Sequence, residues 1–112
     1  MRINALEDWT YIPEFGGNRE EAAELQTAYT FTLLSGKEEM DLRRDGKETF
    51  PTSFETVVKN VKNPPILVSA NGKEVKATVA DLGTRPELKG LFLELIVAYS
   101  SHAKLDGESE KN

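Results

Sequence analysis

Two kinds of side chain that carry much of protein chemistry are nearly missing from this sequence. The 112 residues contain no cysteine and a single histidine, His102. The absence of cysteine excludes disulfide bonds, thiol catalysis and cysteine-ligated zinc or iron–sulfur centres. A single histidine also leaves a histidine-based metal site or catalytic triad without its other members. We therefore predict that the chain is not an enzyme and holds no metal or other cofactor.

Long apolar runs are missing as well. No stretch approaches the roughly 20 apolar residues of a membrane-spanning helix, and the opening MRINALEDW has neither the apolar segment nor the cleavage site of a secretory signal. The length and the 38% content of hydrophobic residues suit one modest core. We expect one domain over residues 1–105, no membrane association, and a disordered polar tail at 106–112.

Negative charge predominates but is unevenly distributed. Lys and Arg total 14 against 19 Asp and Glu, for a net charge of −5, which disfavours non-specific binding to nucleic acid or an anionic membrane. A weakly basic cluster nevertheless comprises Lys59, Lys62, Lys73 and Lys76. It is either an ordinary solvated surface or a patch for an acidic partner. The intervening segment has no aromatic residue to stack on a base.

Hydrophobic periodicity predicts an α+β domain. Alternating apolar residues predict a strand at 27–34 and a hairpin at 66–70/73–78, whose Asn71–Gly72 pair is typical of a type I′ turn. Apolar residues at helical spacing predict amphipathic helices over 53–62 and 85–104. We expect the hairpin and the 27–34 strand to form one small antiparallel sheet, packed against two or three helices.

Helix starts are indicated by a recurring capping-box pattern, in which Ser or Thr precedes an acidic residue by three positions. The pairs are Ser35–Glu38, Thr52–Glu55, Thr78–Asp81 and Thr84–Glu87. In this motif the hydroxyl accepts a hydrogen bond from a first-turn N–H, while the acid accepts one from the N–H of the capping residue. The first pair predicts a short exposed helix directly after Ser35.

The first eighteen residues are predicted to form an extended arm that carries three aromatic side chains. Trp9, Tyr11 and Phe15 lie there, and Gly16–Gly17–Asn18 predicts a turn, since it lacks the spacing of a phosphate-binding loop. The arm either folds over its own core or docks on a partner. Tryptophan and tyrosine are typical anchors in the second case.

The last predicted helix carries a second candidate interface. Leu93 and Val97 fall on its polar side, apart from the broad apolar face that is expected to join the core. They either contact another element or another subunit, or they are ordinary exposed side chains. His102 falls near the end of the same helix, where a cation complements the helix dipole, and we favour that role over catalysis.

The opening WTYIPEFGGNRE resembles that of small proteins encoded in the tail-morphogenesis regions of tailed phages and prophages. The closing arrangement is similar too: VVKNVKN, a hairpin with an NG turn, VADLG, the apolar helix PELKGLFLELIVAY and a polar tail. Such proteins include tail assembly chaperones. The resemblance implies a non-enzymatic role in virion or tail assembly. Its implied partners are other assembly proteins or identical subunits, in the host cytoplasm or the virion.

Two other functions stay open on the residues alone. One is a small regulatory or nucleic-acid-associated domain that acts through the four lysines. The other is a small acid/base enzyme with paired carboxylates, which requires a concave site. The acidic clusters at 20–24 and 38–41 lack the alternating carboxylates and turn glycine of a calcium loop. We interpret both clusters as solvated helix faces.

Overall fold

A computed structural model describes residues 1–46 and 52–109. The strands are β1 (Trp9–Tyr11), β2 (Ala28–Phe31), β3 (Val58–Lys62), β4 (Ile66–Val68) and β5 (Glu74–Lys76). The helices are α1 (Gly36–Arg44), α2 (Thr52–Val57), α3 (Val79–Thr84) and α4 (Lys89–Ser109), and 3₁₀ segments span Phe15–Glu20, Ala23–Leu25 and Pro86–Leu88. Helices combined with small antiparallel sheets confirm the predicted α+β class.

Three strands form the main sheet in the order β1–β2–β3, with both pairs antiparallel. The segment WTY of β1 lies opposite YTF of β2, so that Thr10 faces Thr30 and their hydroxyl oxygens are 2.9 Å apart. Because side chains alternate along a strand, the aromatic residues of both strands share the other face. That aromatic face packs against the core.

The core joins this aromatic face to helices α2, α3 and α4. Its buried members are Tyr29, Phe31, Phe54, Val57, Ala77, Leu82, Leu88, Leu91 and Leu95. Phe31 is central, since its ring centroid lies 6.0 Å from that of Phe54 and 5.3 Å from that of Tyr99. Burial raises the pKa of the Tyr29 hydroxyl. Aromatic pairs of this kind add specific geometry to the burial of apolar surface.

The prediction of a helix over 53–62 is wrong beyond Val57. Helix α2 ends there, and the following residues form β3, paired with β2. A register shift midway along the β2–β3 pair lets Val58 and Val61 both pack on the core, although they are three residues apart. Val58 and Val61 have the spacing of a helical period. Pairing with β2 and the preference of β-branched side chains for strands nevertheless make this segment a strand.

The predicted composition of the sheet is also wrong. The hairpin forms where the sequence predicts it, but β4 and β5 make a separate two-stranded sheet, because β1 and β3 occupy both edges of β2. The turn is not type I′. Among the described residues Asn63 alone is a non-glycine with positive φ, so Gly72, at 85°, is the left-handed residue of this turn. Gly72 is the last residue of a turn that is closed by a hydrogen bond from its own N–H to the Ser69 carbonyl, as in a glycine bulge.

Two of the predicted capping boxes are confirmed. The Ser35 hydroxyl accepts a hydrogen bond from the Glu38 N–H at the start of α1, and the Glu38 carboxylate accepts one from the Ser35 N–H. These bonds lower the pKa of Glu38. Thr78 and Asp81 make the same reciprocal pair at the start of α3. At both places the local sequence determines where the helix begins.

The last helical run differs from its prediction at both ends. Thr84 does not cap it, since this hydroxyl donates to a backbone carbonyl one turn earlier inside α3. The run begins instead with Pro86 in a 3₁₀ turn and continues in α4 to Ser109, past the predicted end. The Thr52 side chain and residues 110–112 of the predicted tail lie outside the described residues. In the described ranges no helix has the length and apolar character to cross a membrane.

Candidate protein-binding surface

The N-terminal arm lies along helix α4 and runs antiparallel to it. Three contacts define the path: Trp9 on His102, Tyr11 on Glu94, and Phe15 on Gly90. The Trp9 and His102 rings are stacked, with centroids 4.1 Å apart and planes within 5° of each other. Of the two interpretations of the arm, folding over its own domain is the one that the structure has.

The Glu94 carboxylate anchors the arm on the helix. Its Oε2 accepts hydrogen bonds from the Tyr11 hydroxyl and the Glu14 N–H, both at 2.7 Å, and its Oε1 accepts one from the Phe15 N–H at 3.0 Å. Hydrogen bonds to an ionised acceptor are stronger than neutral ones. Burial, together with this carboxylate, raises the pKa of Tyr11 to about 12.

Arg19 supports the arm from its outer side. Its guanidinium lies 5.5 Å from the centroid of the Tyr11 ring, in a cation–π arrangement. The same group donates hydrogen bonds to the Ile12 carbonyl and to the Glu14 carboxylate, each at 2.7 Å. Arg19 thus helps to hold the arm in the path that leads Tyr11 to the helix.

Gly90 provides the space that lets the arm approach α4. A Cβ at this position would lie 2.6 Å from Cε2 of Phe15, closer than non-bonded carbon atoms can come. The Phe15 ring therefore occupies the place of a side chain at residue 90. Because Phe15 is 40% exposed, the outer side of its ring stays on the surface.

The turn that ends the arm is confirmed. Gly16 and Gly17 have φ of 64° and 71°, in the left-handed region that favours glycine. Asn18 is 6% exposed, and its amide donates to the Pro13 and Thr27 carbonyls while its oxygen accepts from the Thr27 N–H. This satisfied side chain joins the arm to the start of β2, which is a structural role.

Leu93 and Val97 lie on a side of α4 that the arm leaves open. They are 49% and 65% exposed. On an α-helix, positions 90, 93 and 97 are neighbours along one surface row. Phe15, seated over Gly90, therefore extends this row. We call the exposed residues Phe15, Leu93 and Val97 the α4 strip.

The predicted interface residues thus fall into two groups. Trp9 and Tyr11 are half-buried against their own domain, so in this fold they are not exposed anchors. Phe15, Leu93 and Val97 remain on the surface, and the structure brings them to one side of one helix. Of the five residues predicted to form an apolar interface, only the three of the α4 strip therefore remain exposed to a partner.

The predicted basic patch is divided between the two sheets. Lys59 and Lys62 lie on β3, whereas Lys73 and Lys76 lie in the hairpin. Lys59 also forms a salt bridge with Asp8, just before β1. This exposed pair compensates part of the positive charge that the sequence places in the patch.

A cleft of about 940 Å³ opens beside the end of the arm. Its walls include the connection at residues 63–65, all of strand β4 and the 3₁₀ turn before α4. Leu25, Ile66 and Val68 line it and are 60%, 56% and 64% exposed. The cleft is thus a concave apolar surface in contact with solvent.

The charged lining of the cleft is acidic on balance. It comprises Glu21, Glu87 and Lys76, and Glu87 also accepts a hydrogen bond from Arg85 at 2.9 Å. Within the described residues, no three His, Cys, Asp or Glu side chains are grouped to hold a metal ion. What the lining offers is apolar contact beside net negative charge.

Sequence reasoning missed the residues on which the arm rests, above all Glu94 and Gly90. A signal for Glu94 was present, since it is the one charged residue in the run Gly90–Ser101. An acid within an apolar helix needs a hydrogen-bonding partner, and here the arm provides it. Comparison with protein families, curated proteins and solved structures finds no match to this chain.

Proposed function

We propose that this chain is a non-enzymatic, protein-binding component of a larger assembly and that it docks through the α4 strip. The exposure of Leu93 and Val97 carries this proposal, because the other large apolar residues of the helix up to His102 are buried or half-buried against the core. Covering such a row contributes about 25 cal/mol per Å² of apolar surface removed from water. Contiguous exposed apolar residues are a common mark of interaction sites.

We further propose virion or tail assembly of a phage or prophage as the setting. The support is the resemblance of WTYIPEFGGNRE and of the C-terminal arrangement to tail-morphogenesis proteins. The partner would then be another assembly protein or a second copy of this chain, in the host cytoplasm or the virion. An apolar helix row suits a partner that presents its own apolar ridge.

The test is co-purification with the products of neighbouring genes, comparing the wild type with Leu93→Lys/Val97→Lys. We expect the wild type to co-elute with one of these products and the double variant to lose it, because two ammonium groups would be buried without partners. Ser100→Lys/Ser101→Lys is the matched control, since it adds the same charge at neighbouring positions of α4.

Far-UV circular dichroism of all three proteins establishes that the fold is unchanged. A double variant that still co-elutes like the wild type would exclude the α4 strip as the docking surface. Failure of every neighbouring product to co-elute with the wild type would exclude the phage-assembly setting.

The alternative function, a regulatory or nucleic-acid-associated domain acting through the lysines, has weaker support. Its four residues are shared between two sheets, Lys59 is paired with Asp8, and the net charge is −5. Its test is fluorescence anisotropy with duplex DNA at low salt, where binding to phosphates is strongest. A salt-dependent complex that Lys62→Glu weakens would favour this alternative over protein binding.

A further inference from the structure

The residues before β1 present apolar side chains to solvent. Ile3 and Leu6 are 65% and 60% exposed, and residues 1–8 form neither helix nor strand. A segment of this kind offers apolar side chains together with backbone groups that are free to pair with a strand edge. Residues 1–8 therefore have the features of a segment that binds to a complementary apolar surface.

This segment leaves the domain at the end of α4 that is remote from the cleft. Trp9 lies at His102, whereas the cleft is lined by Leu88 and Leu91 at the other end of the helical run. The twelve helical steps from Gly90 to His102 span about 18 Å. Residues 1–8 are therefore joined to the domain at the end of α4 that is remote from their own cleft.

The cleft complements the segment in shape and apolar character. All three residues of β4 line it, but of β5 only Lys76 does. The hairpin is a two-stranded sheet. A two-stranded sheet is only marginally stable by itself, and a third strand would increase its stability. An extended segment in the cleft can add to the edge of β4 that β5 leaves unpaired, in the manner of β-strand addition.

The charges are complementary as well. Glu21 and Glu87 outnumber Lys76 on the wall of the cleft. Residues 1–6 carry one charged side chain, that of Arg2. Because the Arg85 guanidinium already binds the Glu87 carboxylate, the Arg2 guanidinium would pair with Glu21, with which it can form bidentate hydrogen bonds. Charge complementarity of this kind favours one orientation of the segment in the cleft.

We propose that residues 1–6 of one copy bind in the cleft of a second copy, with Ile3 and Leu6 against Leu25, Ile66 and Val68. The chain thereby associates with itself through exchange of N-terminal segments. The cleft shares Phe15 with the α4 strip but includes neither Leu93 nor Val97, so that loss of docking through Leu93 and Val97 can be distinguished from loss of this association.

Two complementary variants test the proposal in the full chain. Ile3→Asp/Leu6→Asp damages the segment and leaves the cleft intact, whereas Ile66→Asp/Val68→Asp does the reverse. Light scattering over a dilution series is expected to give at least twice the 12.5 kDa chain mass for the wild type and one chain mass for each variant. A mixture of the two variants restores one functional pair and is expected to give a heterodimer.

Matched controls separate this contact from other effects. Met40→Asp changes an apolar side chain that is 70% exposed on α1 and should leave the assembly as it is. Leu93→Lys/Val97→Lys should also retain self-association. A wild type that is monomeric throughout, variants that assemble normally, or a mixture that stays monomeric would each overturn the proposal.

A labelled peptide of sequence MRINALED provides a direct measurement. We expect it to bind the segment-damaged variant, whose cleft is free, and to fail with the cleft-damaged variant. An Arg2→Glu peptide should bind several-fold more weakly, as expected for loss of an exposed ion pair together with like-charge repulsion. Equal binding of the MRINALED peptide to both protein variants would contradict the proposed site.

Discussion

The two outward sides of helix α4 differ in what covers them. On one side Glu94 and His102 lie under the aromatic arm, and Gly90, under Phe15, lies where this side meets the other. On the other side Leu93 and Val97 reach solvent. The covered side thus has no large apolar residue at these contacts, whereas the open side has two. Hydrophobicity of the helix residues alone therefore does not predict which side is covered within the chain.

The difference follows from what each side offers to the arm. The arm brings its own large apolar side chains, so it needs space, an acceptor and a flat ring on the helix. Gly90 supplies the space, the Glu94 carboxylate accepts three hydrogen bonds, and the His102 ring stacks on Trp9. Leu93 and Val97 offer only apolar contact, which an external partner can use equally well.

Among changes on the two outward sides of α4, the largest effect should come from Glu94→Ala, compared with Leu93→Ala on the open side. Removal of the carboxylate leaves the Tyr11 hydroxyl and the N–H groups of Glu14 and Phe15 without their hydrogen-bond acceptor. We therefore expect the unfolding free energy to fall by about 2 kcal/mol. Leu93→Ala should stay within about 0.5 kcal/mol, as for exposed positions. Urea unfolding, followed by far-UV circular dichroism, measures both.

Trp9 reports on the same change independently, because it is the only tryptophan. Release of the arm exposes its indole, so its emission should shift to longer wavelength in Glu94→Ala and stay unchanged in Leu93→Ala. Equal losses of stability in the two variants, without a spectral difference, would remove the distinction between the two sides.

A smaller effect tests the packing of Phe15 on Gly90. Alanine favours a helix over glycine by about 1 kcal/mol, but in the wild type its Cβ would displace the Phe15 ring. We therefore expect Gly90→Ala to stabilise the Phe15→Ala background by about 1 kcal/mol more than it stabilises the wild type. Urea unfolding of the four proteins closes this double-mutant cycle. An equal change in unfolding free energy in both backgrounds would show that the packing of the Phe15 ring does not require a glycine at position 90.

Local signals in the sequence were sufficient for part of this fold. The capping boxes at Ser35 and Thr78, the turn at Gly16–Gly17 and the 66–76 hairpin each depend on residues a few positions apart. Their hydrogen bonds form within the segment itself, so their residue types are readable without knowledge of the remainder. The α+β class follows from the same local patterns.

The parts that were missed depend on pairing between distant segments. Strand β1 has three residues and becomes a strand because β2 lies beside it; in retrospect, WTY matching YTF was the available sign. Val57, Val58 and Val61 fit a helical period equally well until β2 supplies a partner. Glu94 gains its role from an arm about eighty residues earlier in the chain. The residue types of one segment do not reveal which distant segment it pairs with, so these contacts could not be predicted from the sequence alone.

On the open side, Leu93→Lys/Val97→Lys should change the stability of the isolated domain little, by about 0.5 kcal/mol or less. Both side chains already reach solvent, and lysine is a good helix former. Thermal unfolding by circular dichroism tests this, with Leu95→Ala as the contrast. Leu95 is fully buried, so its truncation should cost about 2–5 kcal/mol. A double variant as damaged as Leu95→Ala would mean that the strip belongs to the core.

The smallest effect concerns the protonation of Tyr11 on the covered side. Its pKa is raised to about 12, from about 10 in an unfolded chain, mainly by burial and then by the Glu94 carboxylate. Because the folded state holds this proton more tightly, the associated stability is complete below pH 10 and is lost as the pH rises through 12. The difference in tyrosinate absorbance between the wild type and Tyr11→Phe isolates this group from the other tyrosines. Glu94→Gln should lower its pKa, whereas Leu93→Ala should not; a Tyr11 that titrates near pH 10 in the folded wild type would show that the arm is not held against α4.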